Sequence, residues 1–211
     1  MRITVFGATG GVGQEIVGQA LAAGHEVTAV VRDPDRLPEW LDRAALAAVV
    51  RLDDPAAVRA AVAGRDAVLS GLGSRGRRAD GVAERLTGRI LTAMEAEGVR
   101  RLVVVSAVPV GPEPAGDRLV DRLALKVVGA VLADVYADLA RMEAALARSA
   151  TDWTAVRPPK LTDGPLTGVY RRVVGGAPRG SRSVSRADVA HAMLALVEDP
   201  AAVQQGVGVA Y

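Results

Sequence analysis

The segment Gly7-Ala8-Thr9-Gly10-Gly11-Val12-Gly13 constrains the fold of this 211-residue chain more than any other. It follows Arg2–Phe6, a short run with β-branched residues. It precedes residues 11–23, in which Val12, Ile16, Val17, Ala20 and Leu21 fall on one helical face. A strand that passes into a helix across spaced glycines predicts a tight turn. Backbone amides at that turn, with the positive end of the helix dipole behind them, suit a pyrophosphate. Glycine motifs alone are weak signals; this one stands at the head of a βαβ unit, where it is strong.

Further units follow. Gly24 is expected to close the helix, and 27–31 reads as a second, wholly apolar strand. Asp33-Pro34 and Asp54-Pro55 each read as an N-cap followed by proline at the first helical position. Strands are expected at 47–50, 67–69, 102–106 and 153–157. Helices are expected at 55–63 and 79–97 and over a long region, 117–149. Alternating units of this kind predict an α/β fold, a doubly wound parallel sheet covered on both faces. The last fifty residues hold Gly/Pro turns, a strand at 168–174 and a final helix from Arg186, where Ser185 and Asp188 form a capping-box pattern. We read 1–211 as one domain, with residues from about 158 onward forming a small C-terminal substrate lobe over the sheet edge.

Composition excludes several classes. Half the residues are apolar, enough for a large core. Aromatics are 3%, which argues against base stacking on aromatic platforms. The charge is 26 basic against 24 acidic, without the clustered excess of a nucleic-acid binder. Cysteine is absent, and His25 and His191 have no metal-ligand spacing, so no metal site is expected. No uncharged apolar run reaches about 18 residues, so no membrane span is expected. The strand at the start leaves no room for a signal peptide, and the cytoplasm is the expected compartment.

Four more places carry candidate chemistry. At the end of the second strand an acid usually holds a ribose 2′-hydroxyl. Here Val31-Arg32-Asp33 occurs, and a guanidinium at Arg32, with Arg36 nearby, suits a 2′-phosphate. NADP(H) is thus expected over NAD(H); in the competing reading Asp33 holds an NAD ribose and Arg32 is solvated. Ser70-Gly71-Leu72-Gly73-Ser74-Arg75, after the fourth strand, brings glycine and positive charge to the same sheet edge, with Arg77 and Arg78 either joining it or facing solvent. Ser106, at the end of the fifth strand, either lies near a nicotinamide or bonds its own backbone. Lys160, after Pro158-Pro159, points at the cleft or at solvent. Many short-chain dehydrogenases use a Tyr-x-x-x-Lys pair to move a proton. Tyr136 is followed four residues later by Ala140, so that chemistry is not supported, and Tyr136 is expected to pack or sit at a rim.

GATGGVG, VVRDPDRLP (30–38), VAGRDAV (62–68), GLGSR (71–75), RPPKLTDGPLTGVY (157–170) and SVSRADVAHAML (183–194) resemble the NAD(P)H-binding atypical short-chain reductases. The branch they look most like is the biliverdin-IXβ reductase/flavin reductase group, with NmrA-like regulators as relatives. The resemblance implies one Rossmann-like domain that uses NADPH without a prosthetic group. It implies direct hydride transfer to a flavin, bilin, quinone or similar acceptor, with the proton drawn from solvent. It places Thr9, Gly10, Val12 and Gly13 at the pyrophosphate and Arg32 and Arg36 at the 2′-phosphate; Gly7 and Gly11 of the same loop are candidate cofactor-binding residues as well. Gly73, Ser74 and Arg75 fall near the cofactor and Ser106 near the nicotinamide. Ser106 and Lys160 are the candidate catalytic residues.

The chain departs from that group at Val50-Arg51, where many relatives have Gly-Asp near the adenine. It departs again at Lys160, where the branch tends to have His, and over a longer 109–135 segment. The expected partner is a small-molecule acceptor, on a monomer or weak homodimer. The alternatives are a pathway-specific reductase or isomerase of one small metabolite, and a non-catalytic NADP-sensing regulator. If Arg32 holds the 2′-phosphate, Arg32→Ala loses about 1.5–3 kcal/mol of NADPH binding, roughly ten- to hundredfold, in a fluorescence titration. Unchanged affinity would remove the assignment.

Overall fold

The computed structural model describes residues 1–31, the backbone of 46–49, and residues 52–73, 76, 79–112, 132–180 and 182–211. Five of the positions singled out above, Arg32, Arg36, Arg51, Ser74 and Arg75, lie outside these residues. So do the Asp33-Pro34 helix start, Arg77, Arg78 and residues 113–131 of the 109–135 segment.

The elements run β1 (Arg2–Phe6), α1 (Gly11–Ala22), β2 (Glu26–Val31), β3 (Leu46–Val49), α2 (Pro55–Val62), β4 (Ala67–Ser70), α3 (Val82–Glu97) and β5 (Arg101–Val105). There follow α4 (Ala133–Arg148), β6 (Asp152–Arg157), β7 (Lys160–Thr162), β8 (Arg171–Val174), β9 (Ser183–Ser185), α5 (Arg186–Val197) and β10 (Gln205–Ala210). Eight strands form one sheet in the order β3-β2-β1-β4-β5-β6-β10-β8. Every pairing is parallel except β10 with β8. The fold is the Rossmann-like α/β architecture expected from the sequence.

Strand alternation divides the core in two. Ile3 and Val5 face the layer of α1 and α5 with Ile16, Val17, Val189 and Met193. Phe6 faces the other layer, with Val58, Ile90, Met94 and Met142 of α2, α3 and α4. Thr4 is also fully buried and donates its hydroxyl to the Ala61 carbonyl of α2 at 2.6 Å, so its polarity is satisfied.

Local chemistry sets the helix ends. The Asp54 carboxylate accepts from the Ala56 and Ala57 amides, with Pro55 at the first position. Gly24, at φ +76°, ends α1: its amide bonds the Leu21 carbonyl and the His25 amide the Ala20 carbonyl, a paired closure. Helix α3 starts at Val82 rather than 79, because Asp80 and Gly81 both take positive φ. Helix α5 has no basic residue in its last turn; Arg101 of β5 supplies the charge, donating to the Leu196 and Val197 carbonyls at 2.5 and 2.8 Å.

The C-terminal part is continuous with the main sheet. It extends the main sheet through β10 and β8, packs α5 against α1, and leaves only the β7–β9 pair outside. Strand β10 is absent from the sequence reading because Gly206 and Gly208 dilute its Val207/Val209 alternation. Both glycines are required by neighbours. A Cβ at Gly206 would overlap the Arg157 guanidinium, and one at Gly208 would approach the Gly176 carbonyl to 2.5 Å. Among the described residues no helix is long and apolar enough to cross a membrane.

Asp188 ties this part together. Its carboxylate is fully buried. It accepts from the Tyr211 and Thr167 hydroxyls at 2.6 and 2.7 Å and from the Gly168 and Thr167 amides at 2.8 and 2.9 Å. The Ser185 hydroxyl accepts from the Asp188 amide, as the capping pattern requires, while the Ser185 amide bonds the Tyr211 hydroxyl instead of Asp188. Burial pushes the Asp188 carboxyl up, but the hydrogen bonds from Tyr211, Thr167 and Gly168 outweigh it and hold the group at about 2. The folded value lies below the ordinary 3.8, so the stabilisation is present above pH 4 and is lost as pH falls toward 2. Asp188→Asn is expected to cost about 2 kcal/mol at pH 7 in urea unfolding, with the gap to wild type narrowing below pH 4. A gap that is the same at pH 7 and pH 2.5 would contradict this.

Candidate functional site

The strand order reverses between β1 and β4: β2 and β3 lie to one side and β4, β5 and β6 to the other. In an open parallel sheet, the carboxyl ends at such a reversal diverge into a crevice. Here the Gly71 amide bonds the Phe6 carbonyl at 3.0 Å and joins the two strand ends. Gly7 takes φ +74°, and a Cβ on it would come within 2.9 Å of the Gly71 carbonyl carbon. A cleft of about 1220 Å³ opens above this point. Gly7, Thr9, Gly10, Gly11 and Val12 line one wall, and Gly71, Leu72 and Gly73 lie beside them. Ser106, Val105, Val135, Leu139 and Leu161 line the far end.

The first wall fits a dinucleotide diphosphate. Gly10 caps α1 in an extended conformation, with no side chain on the helix amides and no acid in the first turn. The first-turn amides therefore have no intrahelical partner and carry the positive end of the dipole. Gly10 has little room for a side chain, since its Cβ would lie 3.2 Å from the Gly7 carbonyl oxygen. Gly13 acts differently from the other glycines. It is buried and absent from the cleft wall, and a Cβ on it would overlap the Gly7 carbonyl. It lets α1 pack against the turn.

Ser106 is 4% exposed and lies in the cleft wall. It does not bond its own backbone. Its hydroxyl donates to Glu143 Oε1 at 2.5 Å. Glu143 in turn receives Arg157 Nε at 3.0 Å and Nη2 at 2.5 Å. Arg157 lies against two glycines: a Cβ at Gly111 would come 2.7 Å from Nη1, and one at Gly206 would overlap the guanidinium. The proton of Ser106 is thus committed to a carboxylate held by a bidentate arginine. Toward the cleft the hydroxyl offers lone pairs and acts as an acceptor. Glu143 and Arg157 are missing from the sequence reading. The signal was there: Glu143 sits on the apolar stripe Leu139, Met142, Leu146, where an acid must be paired.

Two further acids of α4 act on α3. Asp134 accepts from the Ala79 amide at 3.0 Å. Asp138, 1% exposed, accepts from the Ala83 and Glu84 amides at 2.9 and 3.1 Å. Asp138 supplies from outside the cap that Gly81 lacks, and Asp134 holds the segment that leads into the helix. Tyr136 packs against the core of that layer, and burial pushes its phenol up. Lys160, expected as a cleft cation, is exposed and not in the wall; its neighbour Leu161 is. Successive strand residues point to opposite faces, so one strand position cannot present both. His191 bonds the Tyr170 hydroxyl at 2.7 Å on the surface. Among the described residues no group of three His, Asp or Glu is placed to hold a metal ion.

A family profile described as NAD(P)H-binding matches residues 7–200. A 3-diazoavenalumate denitrifying reductase from a Streptomyces species is 36% identical over 129 residues, covering 53% of this chain and 41% of that protein. The chain thus spans less than half the length of this relative. Among solved structures, a short-chain dehydrogenase/reductase from Veillonella parvula in complex with NADP has a TM-score of 0.82 at 20% identity, covering 100% of this chain and 94% of the other. An anaerobilin reductase from Escherichia coli O157:H7 has a TM-score of 0.80 at 24% identity, covering 100% and 97%. At these identities the likeness shows the fold.

Arg157→Met leaves the Glu143 carboxylate, whose side chain is 10% exposed, with Ser106 as its one partner among the described residues. It is expected to cost about 3–5 kcal/mol in urea unfolding. Adding Glu143→Gln should restore part of that loss. A cost below about 1 kcal/mol for the single variant would show that the pair does not hold the serine wall.

Proposed function

Because the chain belongs to the NAD(P)H-binding family, we propose that it is an NADPH-dependent oxidoreductase that reduces a planar, conjugated small molecule such as a flavin, bilin or quinone. The shape of the cleft carries this reading. One end is a glycine cradle with free amides, and the other is an apolar wall of Leu86, Val135, Leu139 and Leu161. At about 1220 Å³ it exceeds the roughly 300–1,000 Å³ typical of a pocket for one drug-sized ligand. It has room for a dinucleotide and a second flat molecule beside it. Two of the proteins it is similar to are named as reductases.

The residues then take separate tasks. Thr9, Gly10, Gly11 and Val12 hold the diphosphate, and Arg32 and Arg36 select the 2′-phosphate. Gly73, Ser74 and Arg75 flank the cofactor. Ser106, whose hydroxyl donates to Glu143, keeps acceptor lone pairs for the cleft and would help position the nicotinamide. When bound, the reduced nicotinamide supplies a hydride to the acceptor. The accompanying proton comes from solvent through the open cleft. The chain contributes chiefly proximity and orientation; Tyr136 packs against the core, is not among the residues that line the cleft, and is followed four residues later by Ala140.

Purified protein should oxidise NADPH with FMN, biliverdin or a quinone, and faster than it oxidises NADH. Absorbance at the reduced nicotinamide band follows the reaction. Tight NADPH binding with no turnover on any of the three would overturn the broad reductase reading in favour of a sensor or a dedicated metabolite enzyme.

A further inference from the structure

Arg186 stands where helix stability gives it no reason to be. It is the first residue of α5, after the Ser185 cap, and a cation there opposes the helix dipole. Its side chain instead reaches across to α1. A Cβ on Gly11 would lie 2.6 Å from Arg186 Cδ and 2.9 Å from Nε, so the arginine stem rests on the backbone of the first α1 residue. Arg186 lines the cleft together with Thr9, Gly10, Gly11 and Val12. Its guanidinium donates through Nη1 to Asp163 Oδ1. Asp163 is 91% exposed, and an ion pair so open to water holds weakly. A cation and the free amides of α1 therefore converge on one spot, with the cation tethered only loosely.

We propose that Arg186 is a ligand of the cofactor pyrophosphate, reaching over the glycine cradle from the C-terminal part of the chain, and that its ion pair with Asp163 competes with that contact. The proposal rests on the NAD(P)H reading of the cleft. Its chemistry is that of a guanidinium fork on a diphosphate, which neither α1 nor the glycine loop supplies. It also assigns a separate duty to each arginine region. Arg32 distinguishes NADPH from NADH, whereas Arg186 contacts what the two share.

The test is calorimetric titration of the full chain with NADPH, NADH and ADP. Arg186→Ala is expected to weaken all three about ten- to hundredfold and to leave the NADPH/NADH ratio unchanged. Arg186→Lys should recover part of the loss, since it keeps the charge without the fork. Asp163→Asn should tighten all three by about two- to fivefold, because it releases the arginine. A merely structural role for Arg186 does not produce that opposite sign. Unchanged affinity in Arg186→Ala, or a loss confined to NADPH, would overturn the assignment while leaving the cofactor reading intact. A wild-type protein that binds neither dinucleotide would overturn both.

Discussion

The contact of Gly13 with the Gly7 carbonyl is the constraint from which the rest of the structure follows. Helix α1 approaches the end of β1 so closely that a Cβ at position 13 would overlap that carbonyl. Gly7 in turn faces Gly71 at the end of β4 with no room for a side chain. Three backbones meet at the point where the strand order reverses. Because they meet without side chains, the first-turn amides of α1 lie open to the cleft. A bulkier residue at either position would push α1 away from the sheet and remove the cradle with it.

The ends of the helices divide the electrostatic work. Asp54 caps α2, Asp138 caps α3 from a neighbouring helix, Ser185 caps α5, and α4 has Asp134 in its first turn. Among the described α-helices, α1 has neither a capping side chain nor a first-turn acid. Side chains satisfy the starts of the other helices, and the one at the glycine cradle is left positive. A bound diphosphate would satisfy it as the side chains satisfy the others.

The far end of the cleft depends on the edge of the sheet. Ser106 is oriented by Glu143, Glu143 by Arg157, and Arg157 occupies space left by Gly206 of β10. The late strand β10, buried between β6 and β8, is thus coupled to the wall where the nicotinamide would lie. The Asp188 cluster makes a parallel link. It fastens Thr167, Gly168 and Tyr211 to the start of α5, from which Arg186 reaches the cradle.

The sequence by itself determined the alternating α/β order, the parallel sheet, the glycine cradle and the Asp54 cap. These follow from periods of 2 and 3.6 and from backbone rules that act within a few residues. It also marked Ser106 as a strand-end residue of the site. The close approach of Gly13 to the Gly7 carbonyl, Leu161 rather than Lys160 in the cleft wall, and the extension of the sheet by β10 emerge only from the folded arrangement. Glu143, Asp138 and Arg186 came to light the same way. Most of these depend on a partner distant in the chain: Arg157 against Gly206, Ser106 against Glu143, Arg186 against Gly11. Local propensity carries no information about such pairs. A glycine that makes room for an arginine in another strand reads, in one dimension, as a weak strand.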